Sequence, residues 1–232
     1  MSGLLTPARR RGSEILDRPD VDPRVVTRSM RDVALANRLF GGRRAALAEI
    51  DHALRGLSGD ATLLDVGTGL GDIPAAARER AARRGVRLRT VGLDVAPELA
   101  EAARGRVDEP LCASAFALPL RDRSVDVVVA SQMLHHFPEA EARRVLREMH
   151  RVARRRVIVS DLRRSWLAAA GIWLASWLLR FHPVSRHDGV VSVLRGFTAK
   201  DIAALVASAV GIWPRVRRRA GWRVTASWGR DP

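Results

Sequence analysis

Apolar residues along this chain recur at two periods. Val26, Met30 and Val33, with Asn37 as a polar exception, keep helical spacing between residues 25 and 40, and Gly41-Gly42 breaks the run. Leu47, Ile50, Leu54 and Leu57 put an apolar stripe on a second helix over 43–57. Short apolar runs then alternate with amphipathic stretches. They predict strands at 61–66, 87–93, 111–113, 124–130 and 155–160, and helices at about 71–84, 97–105 and 139–153. Such alternation implies an α/β fold, its parallel sheet covered by helices on both faces. Thr198 is a good N-cap for a helix to about Ala209, closed by Gly211. Two last strands, near 213–218 and 222–228, meet around Ala220-Gly221.

One segment departs from this rhythm. Ser165 to Leu179 holds no charged residue, and Trp166, Trp173 and Trp177 share one helical stripe. Leu167, Leu174 and Leu178 form a neighbouring stripe, and the other side is small. A bilayer span needs about 20 residues, so the stretch is too short to cross one. It reads as a packing helix, an apolar wall of a substrate pocket, or a surface resting at a membrane interface. After it, Arg186-His187-Asp188-Gly189 reads as a polar loop between helices.

The chemistry concentrates at strand ends. The first core strand closes on Asp65 and runs into Gly67-Thr68-Gly69-Leu70-Gly71-Asp72. Glycine at alternate positions lets a strand-to-helix turn bend sharply and brings backbone close to a ligand. A dinucleotide fingerprint would read G-x-G-x-x-G, and Asp72 stands where its third glycine belongs. The second strand ends in Asp94-Val95, where nucleotide-type folds place a carboxylate on ribose hydroxyls. Cys112 to Leu120 follows, and then Ser131-Gln132-Met133-Leu134-His135-His136-Phe137 after the fourth strand.

The G-x-G-x-G turn behind an acidic residue resembles motif I of class I S-adenosylmethionine (SAM)-dependent methyltransferases. Ser114, Ala115 and Phe116 lie in a stretch similar to the one that contacts adenine there, with Ser114 in place of the usual Asp. The ending Leu134-His135-His136-Phe137 is similar to that of many small-molecule members, the ubiquinone and menaquinone-biosynthesis methyltransferases among them. The resemblance runs motif by motif over about 60–162. It implies a Rossmann-like fold: seven strands, mostly parallel, with a C-terminal antiparallel hairpin and added cap helices. It implies a tail and cap helices over 1–58, a SAM-binding core over 59–232, and a cap insertion at about 163–197. SAM is then the cofactor and S-adenosylhomocysteine the product. Asp65, Gly67, Thr68, Gly69, Gly71, Asp94, Val95, Ser114, Ala115, Phe116 and Ser131 are the expected cofactor-binding residues.

Length and composition fit one globular domain with a full core: 232 residues, 47% hydrophobic and 28% charged. The single cysteine, Cys112, excludes an internal disulfide, suits a reducing cytoplasm and sits in an apolar context that reads as core. The net charge of +15 invites a nucleic-acid reading. Lys200 is the only lysine, Asn37 the only asparagine, and tyrosine is absent, so the arginine content looks like coding bias. Nucleic acid is therefore not an expected partner. Arg9-Arg10-Arg11, Arg154-Arg155-Arg156 and Arg217-Arg218-Arg219 then read as solvated surface, with peripheral membrane contact kept open. No apolar core follows the charged first residues, so no signal peptide is expected.

Methyl transfer to oxygen needs a base, and a neutral imidazole serves near neutral pH. His135 and His136 stand at the carboxyl edge of the sheet, and His187 has Asp188 beside it. These three are the candidate catalytic residues. Trp166, Trp173, Trp177 and Arg186 are the candidate acceptor-binding residues, and no metal cluster is expected. The leading function is O-methylation of an apolar small molecule of secondary metabolism, phenolic, polyketide-like or a quinone precursor. An RNA or protein methyltransferase using the basic surface, and a non-catalytic SAM-fold binding protein, are the alternatives.

Overall fold

The computed structural model describes residues 6–10, 12–18 and 20–229; Arg11 of the first basic run lies outside them. Helices α1 (Pro23–Leu39) and α2 (Gly42–Ala53) precede the sheet. Strands β1 (Gly59–Val66), β2 (Val86–Asp94), β3 (Glu109–Cys112), β4 (Val125–Ser131) and β5 (Ala153–Leu162) follow, with α3 (Asp72–Ala82), α4 (Pro97–Ala102) and α5 (Glu139–Val152) between them. After β5 come α6 (Trp166–Leu178), α7 (Pro183–Arg195) and α8 (Ala199–Val210). Strands β6 (Arg215–Arg219) and β7 (Arg223–Gly229) close the chain.

The sheet has seven strands in the order β3-β2-β1-β4-β5-β7-β6. Strands β1 to β5 are parallel; β7 runs antiparallel to β5, and β6 antiparallel to β7. This is the Rossmann-like methyltransferase fold. Leu63, Leu64, Val66, Val127, Val128, Val129 and Ile158 are fully buried, as continuous apolar strands covered on both faces must be. Helix α5 shows how the cover is made: Ala142, Val145, Leu146, Met149 and Val152 share its inner face. The chain leaves β1 in one direction and reaches β4 on the other side. The carboxyl ends of β1 and β4 therefore form the switch point where open α/β sheets bind ligands.

The structure departs from two sequence expectations. Cys112 is exposed, because β3 is an edge strand and its last residue lies beyond the helical cover. Arg186 to Gly189 is helical and belongs to α7. Pro183 at the helix start and the His182 side chain, which accepts from the Val184 amide, set that helix going before the polar cluster.

Candidate functional site

The glycine turn is held by β2. The Gly67 and Thr68 amides both donate to the Leu93 carbonyl, at 2.8 and 2.9 Å. Gly67 takes φ +73°, and a Cβ there would sit 2.8 Å from Met133 Cγ. Gly69 takes φ +52°, and a Cβ there would meet nothing within 4 Å, so this backbone faces open cavity. Gly71 caps α3 and packs against Ala103, Arg106 and Val107, outside the cavity lining.

Asp94 does more than the sequence suggested. Its carboxylate accepts from the Gly69 amide at 3.0 Å and the Ala96 amide at 3.1 Å, so it ties the glycine turn to the start of α4. Burial raises its pKa, and those amides pull against the shift. Asp65 is buried deeper. One carboxylate oxygen accepts from Thr68 Oγ1 at 3.0 Å, and the other has no partner. Desolvation pushes its pKa up to about 8.

The consequence is measurable. Between pH 4 and about 8 the folded protein holds the Asp65 proton that an unfolded chain has released. Stability should therefore fall as pH rises through this window, by up to about 1.4 kcal/mol per pH unit for one such proton. Glu14, pushed up to about 7 by burial, acts in the same sense at lower pH. Asp65→Asn should flatten the ligand-free protein's melting temperature most clearly between pH 7 and 8. An unchanged slope there would remove the neutral carboxyl from the account.

These groups line one cavity of about 1210 Å³ above the carboxyl ends of the strands. Single-ligand pockets run to about 300–1,000 Å³, so there is room for a cofactor and a second molecule. Asp65, Gly67, Thr68, Gly69, Asp94, Val95, Ser114, Ala115, Phe116 and Ser131 are all on its wall. Ser131 Oγ is buried without a partner, and Ser114 Oγ accepts from the Phe116 amide at 3.2 Å. An unpartnered carboxylate oxygen, an open glycine backbone and a strand-tip carboxylate suit an ammonium, a carboxylate and a ribose respectively. The residues present fit SAM.

On the far wall, the 3-10 turn Leu134–His136 places its two histidines differently. His135 is buried, and its Nδ1 lies 2.6 Å from Asp161 Oδ1 at the end of β5. Burial alone would raise the Asp161 pKa, but the adjoining His135 outweighs it and holds the carboxylate below its ordinary range. His135 Nε2 has no hydrogen-bond partner and lies 3.7 Å from Glu14 Oε1. His136 Nδ1 is 2.8 Å from Asp17 Oδ1. Burial works against the Asp17 anion, yet His136 and Arg195 together hold its pKa below the usual carboxylate range. Arg195, itself buried, also donates to Glu14 at 3.3 Å and to the His135 and His136 carbonyls.

The other candidates lie elsewhere. His187 is half-exposed, paired with Asp188 at 2.7 Å, and off the cavity wall. The Asp188 carboxylate is already engaged by the Ile15 and Leu16 amides. Trp166, Trp173 and Trp177 are exposed, because α6 turns its small residues inward. Arg186 donates to the Phe181 carbonyl and covers the Trp177 ring at 4.1 Å, so it too is off the wall. From α6 the cavity takes Ala168, Gly171 and Ile172 instead.

The resemblance also implied that the N-terminal helices help form the substrate pocket, and the first of them does line the cavity; sequence reading missed the segment before it. Leu16, Val26, Met30 and Val33 wall the cavity with hydrocarbon, and Glu14 and Asp17 bring carboxylates to histidines more than a hundred positions away. Glu14, His135 and His136 each offer an atom within 4.8 Å of the others, a spacing that could hold a metal ion. Asp17 engages His136 and Arg195 engages Glu14, while His135 Nε2 has no hydrogen-bond partner. A second polar corner joins Asn37, which accepts from Gln132, to buried Arg223. Arg223 Nε has no partner, and Gln132 holds φ +52°, a strain of the kind found at working sites. The polar exception in the first helical stripe was the available signal for this corner.

The topology is that of the Rossmann-like methyltransferase fold, and the lining of the site fits SAM. Residues 64–160 match the family model described as a methyltransferase domain. No curated protein matches the sequence. Among solved structures, a SAM-dependent methyltransferase from Aquifex aeolicus is 18% identical over 90% of this chain and 98% of its own, with a TM-score of 0.59. The magnesium protoporphyrin IX methyltransferase of Synechocystis PCC 6803, with bound S-adenosylhomocysteine, is 16% identical over 86% and 87%, with a TM-score of 0.56. At such identities the likeness establishes the fold.

Proposed function

We propose that this protein transfers the methyl group of SAM to a hydroxyl oxygen of an apolar small molecule, with His135 as general base and Asp161 as the residue that orients it. The observation that carries this reading is His135 on the wall of the cavity that also holds the glycine turn, backed by the buried Asp161 carboxylate behind it. When bound, SAM supplies a methyl group on a positively charged sulfur, already reactive toward a nucleophile. The chain must add alignment and a destination for the acceptor's proton. Because Asp161 accepts at Nδ1, neutral His135 carries its proton there and keeps its lone pair at Nε2. The hydroxyl proton passes to that nitrogen as the oxygen gains its methyl group, and Asp161 stabilises the resulting imidazolium. Glu14, with a pKa of about 7 and 3.7 Å away, is placed to receive the proton next.

The acceptor class rests on the wall: Val26, Met30, Val33, Ile172 and Phe181 favour an apolar frame, and the Asn37–Gln132–Arg223 corner favours one polar substituent. Phenolic, polyketide-like and quinone-precursor acceptors combine the two. The test is to supply SAM with a labelled methyl group alongside a panel of apolar phenols and hydroxyquinones, total RNA, and unfolded protein. Label should pass to the phenols and enter the organic phase. Label found only in RNA or protein would overturn the small-molecule reading.

A further inference from the structure

Helix α6 is built inside out. Its buried positions, Ala168, Ala169 and Ser176, are small. Its outward face carries Trp166, Leu167, Trp173, Leu174, Trp177 and Leu178, which are 44–75% exposed. A helix at the surface of a soluble domain normally presents the reverse. The cause is close packing against α7, whose Val190, Val193 and Leu194 leave room for small side chains and Ile172 only. Each tryptophan can cover about 150–250 Å², so the six side chains together exceed the roughly 300–600 Å² of the largest patch on a typical monomer.

The rim of this face is cationic. Arg10 is exposed with its guanidinium 5.6 Å from the Trp166 ring. Arg186 covers the Trp177 ring, and Arg180 is exposed just past the helix end. The acids of the flanking segments are engaged inward: Asp188 by the Ile15 and Leu16 amides, Asp201 by Arg164 and the Thr198 amide. At 13 residues the helix is about 20 Å long, and no helix among the described residues is long and apolar enough to cross a membrane. A short apolar face bearing tryptophans and edged by arginines is suited to lie in the plane of a lipid interface.

We propose that the outer face of α6 docks the protein on an anionic lipid bilayer, its tryptophans at headgroup level and Arg10, Arg180 and Arg186 on the phosphates. The net charge of +15 adds long-range attraction to such a surface. The opposite side of the same helix gives Ala168, Gly171 and Ile172 to the cavity. Docking therefore sets the cavity one helix thickness from the lipid, where an apolar acceptor concentrates. The docking surface consists of α6 and its rim alone, and its test needs no methyl transfer.

The experiment is flotation of the full chain with vesicles of phosphatidylcholine alone and of phosphatidylcholine mixed with phosphatidylglycerol. Binding to the mixed vesicles, a blue shift of tryptophan emission, and weakening with added salt are expected. The double variant Trp173→Glu/Leu178→Glu changes only exposed positions. It should keep the parent's melting temperature and its stabilisation by SAM, yet lose vesicle affinity by about tenfold or more, since glutamate removes apolar contact and adds repulsion. Arg10→Gln with Arg180→Gln should cost about fivefold per arginine at low salt. Three results overturn the proposal. One is flotation with neither vesicle. Another is vesicle binding that the Trp173→Glu/Leu178→Glu variant leaves intact. The third is a concentration-dependent dimer that this variant dissolves, with no lipid binding, which would assign the face to a second copy of the chain.

Discussion

His135→Gln should bind SAM as the parent does and lose methyl transfer by about 10²–10⁴-fold, the usual contribution of a positioned general base. Glutamine keeps a hydrogen-bonding partner for Asp161 and removes the basic nitrogen that faces Glu14. The loss should not be uniform. A phenol acidic enough to be ionised at the assay pH has already given up its proton, so the variant should methylate it at nearly the parental rate. A hydroxyl of ordinary acidity should show the full loss. That split separates a base from a packing residue, which would slow all acceptors alike. Equal losses across the acidity series, or a fall in SAM affinity matching the fall in rate, would return His135 to a structural role.

Asp94→Ala should produce the second large effect, on cofactor binding and on the fold together. SAM at about 100 times its dissociation constant should stabilise the parent by roughly 2.7 kcal/mol, read as a thermal shift. The variant should show almost none. Bonds to a charged carboxylate contribute about 1.5–3 kcal/mol each, so losing two from a ribose weakens binding a hundredfold or more. The ligand-free variant should also melt earlier, because the Gly69 and Ala96 amides lose their acceptor. Asp94→Asn retains one acceptor oxygen and should restore more of the melting temperature than of the affinity. Parental SAM affinity in Asp94→Ala, measured by calorimetric titration, would show that the ribose is held elsewhere.

The alternation of apolar runs and amphipathic stretches between Leu63 and Leu162 was enough to place five strands and the helices between them. A strand buried on both faces, such as Val125–Ser131, is written mostly in apolar residues, and its buried acid, Asp126, accepts from the Thr62 amide and hydroxyl. The glycine turn and Asp94 were legible for a related reason. They act through local backbone, within one strand-turn-helix unit, so spacing along the chain is also spacing in the fold. The C-terminal strand pair was legible from its turn, although its register against β5 was not.

What the chain could not express by itself was every pairing made across the sheet and every choice of helix face. The two adjacent histidines look equivalent in sequence. Only tertiary structure gives one of them Asp161, from the end of a different strand, and the other Asp17, from the N-terminal segment. Likewise the tryptophan stripe on α6 defines one face but not its direction. Helical periodicity says which side chains share a side, while the neighbour's packing decides which side is buried. Here α7 comes close enough to select the small residues, so the face that reads most hydrophobic in sequence is the one left outside.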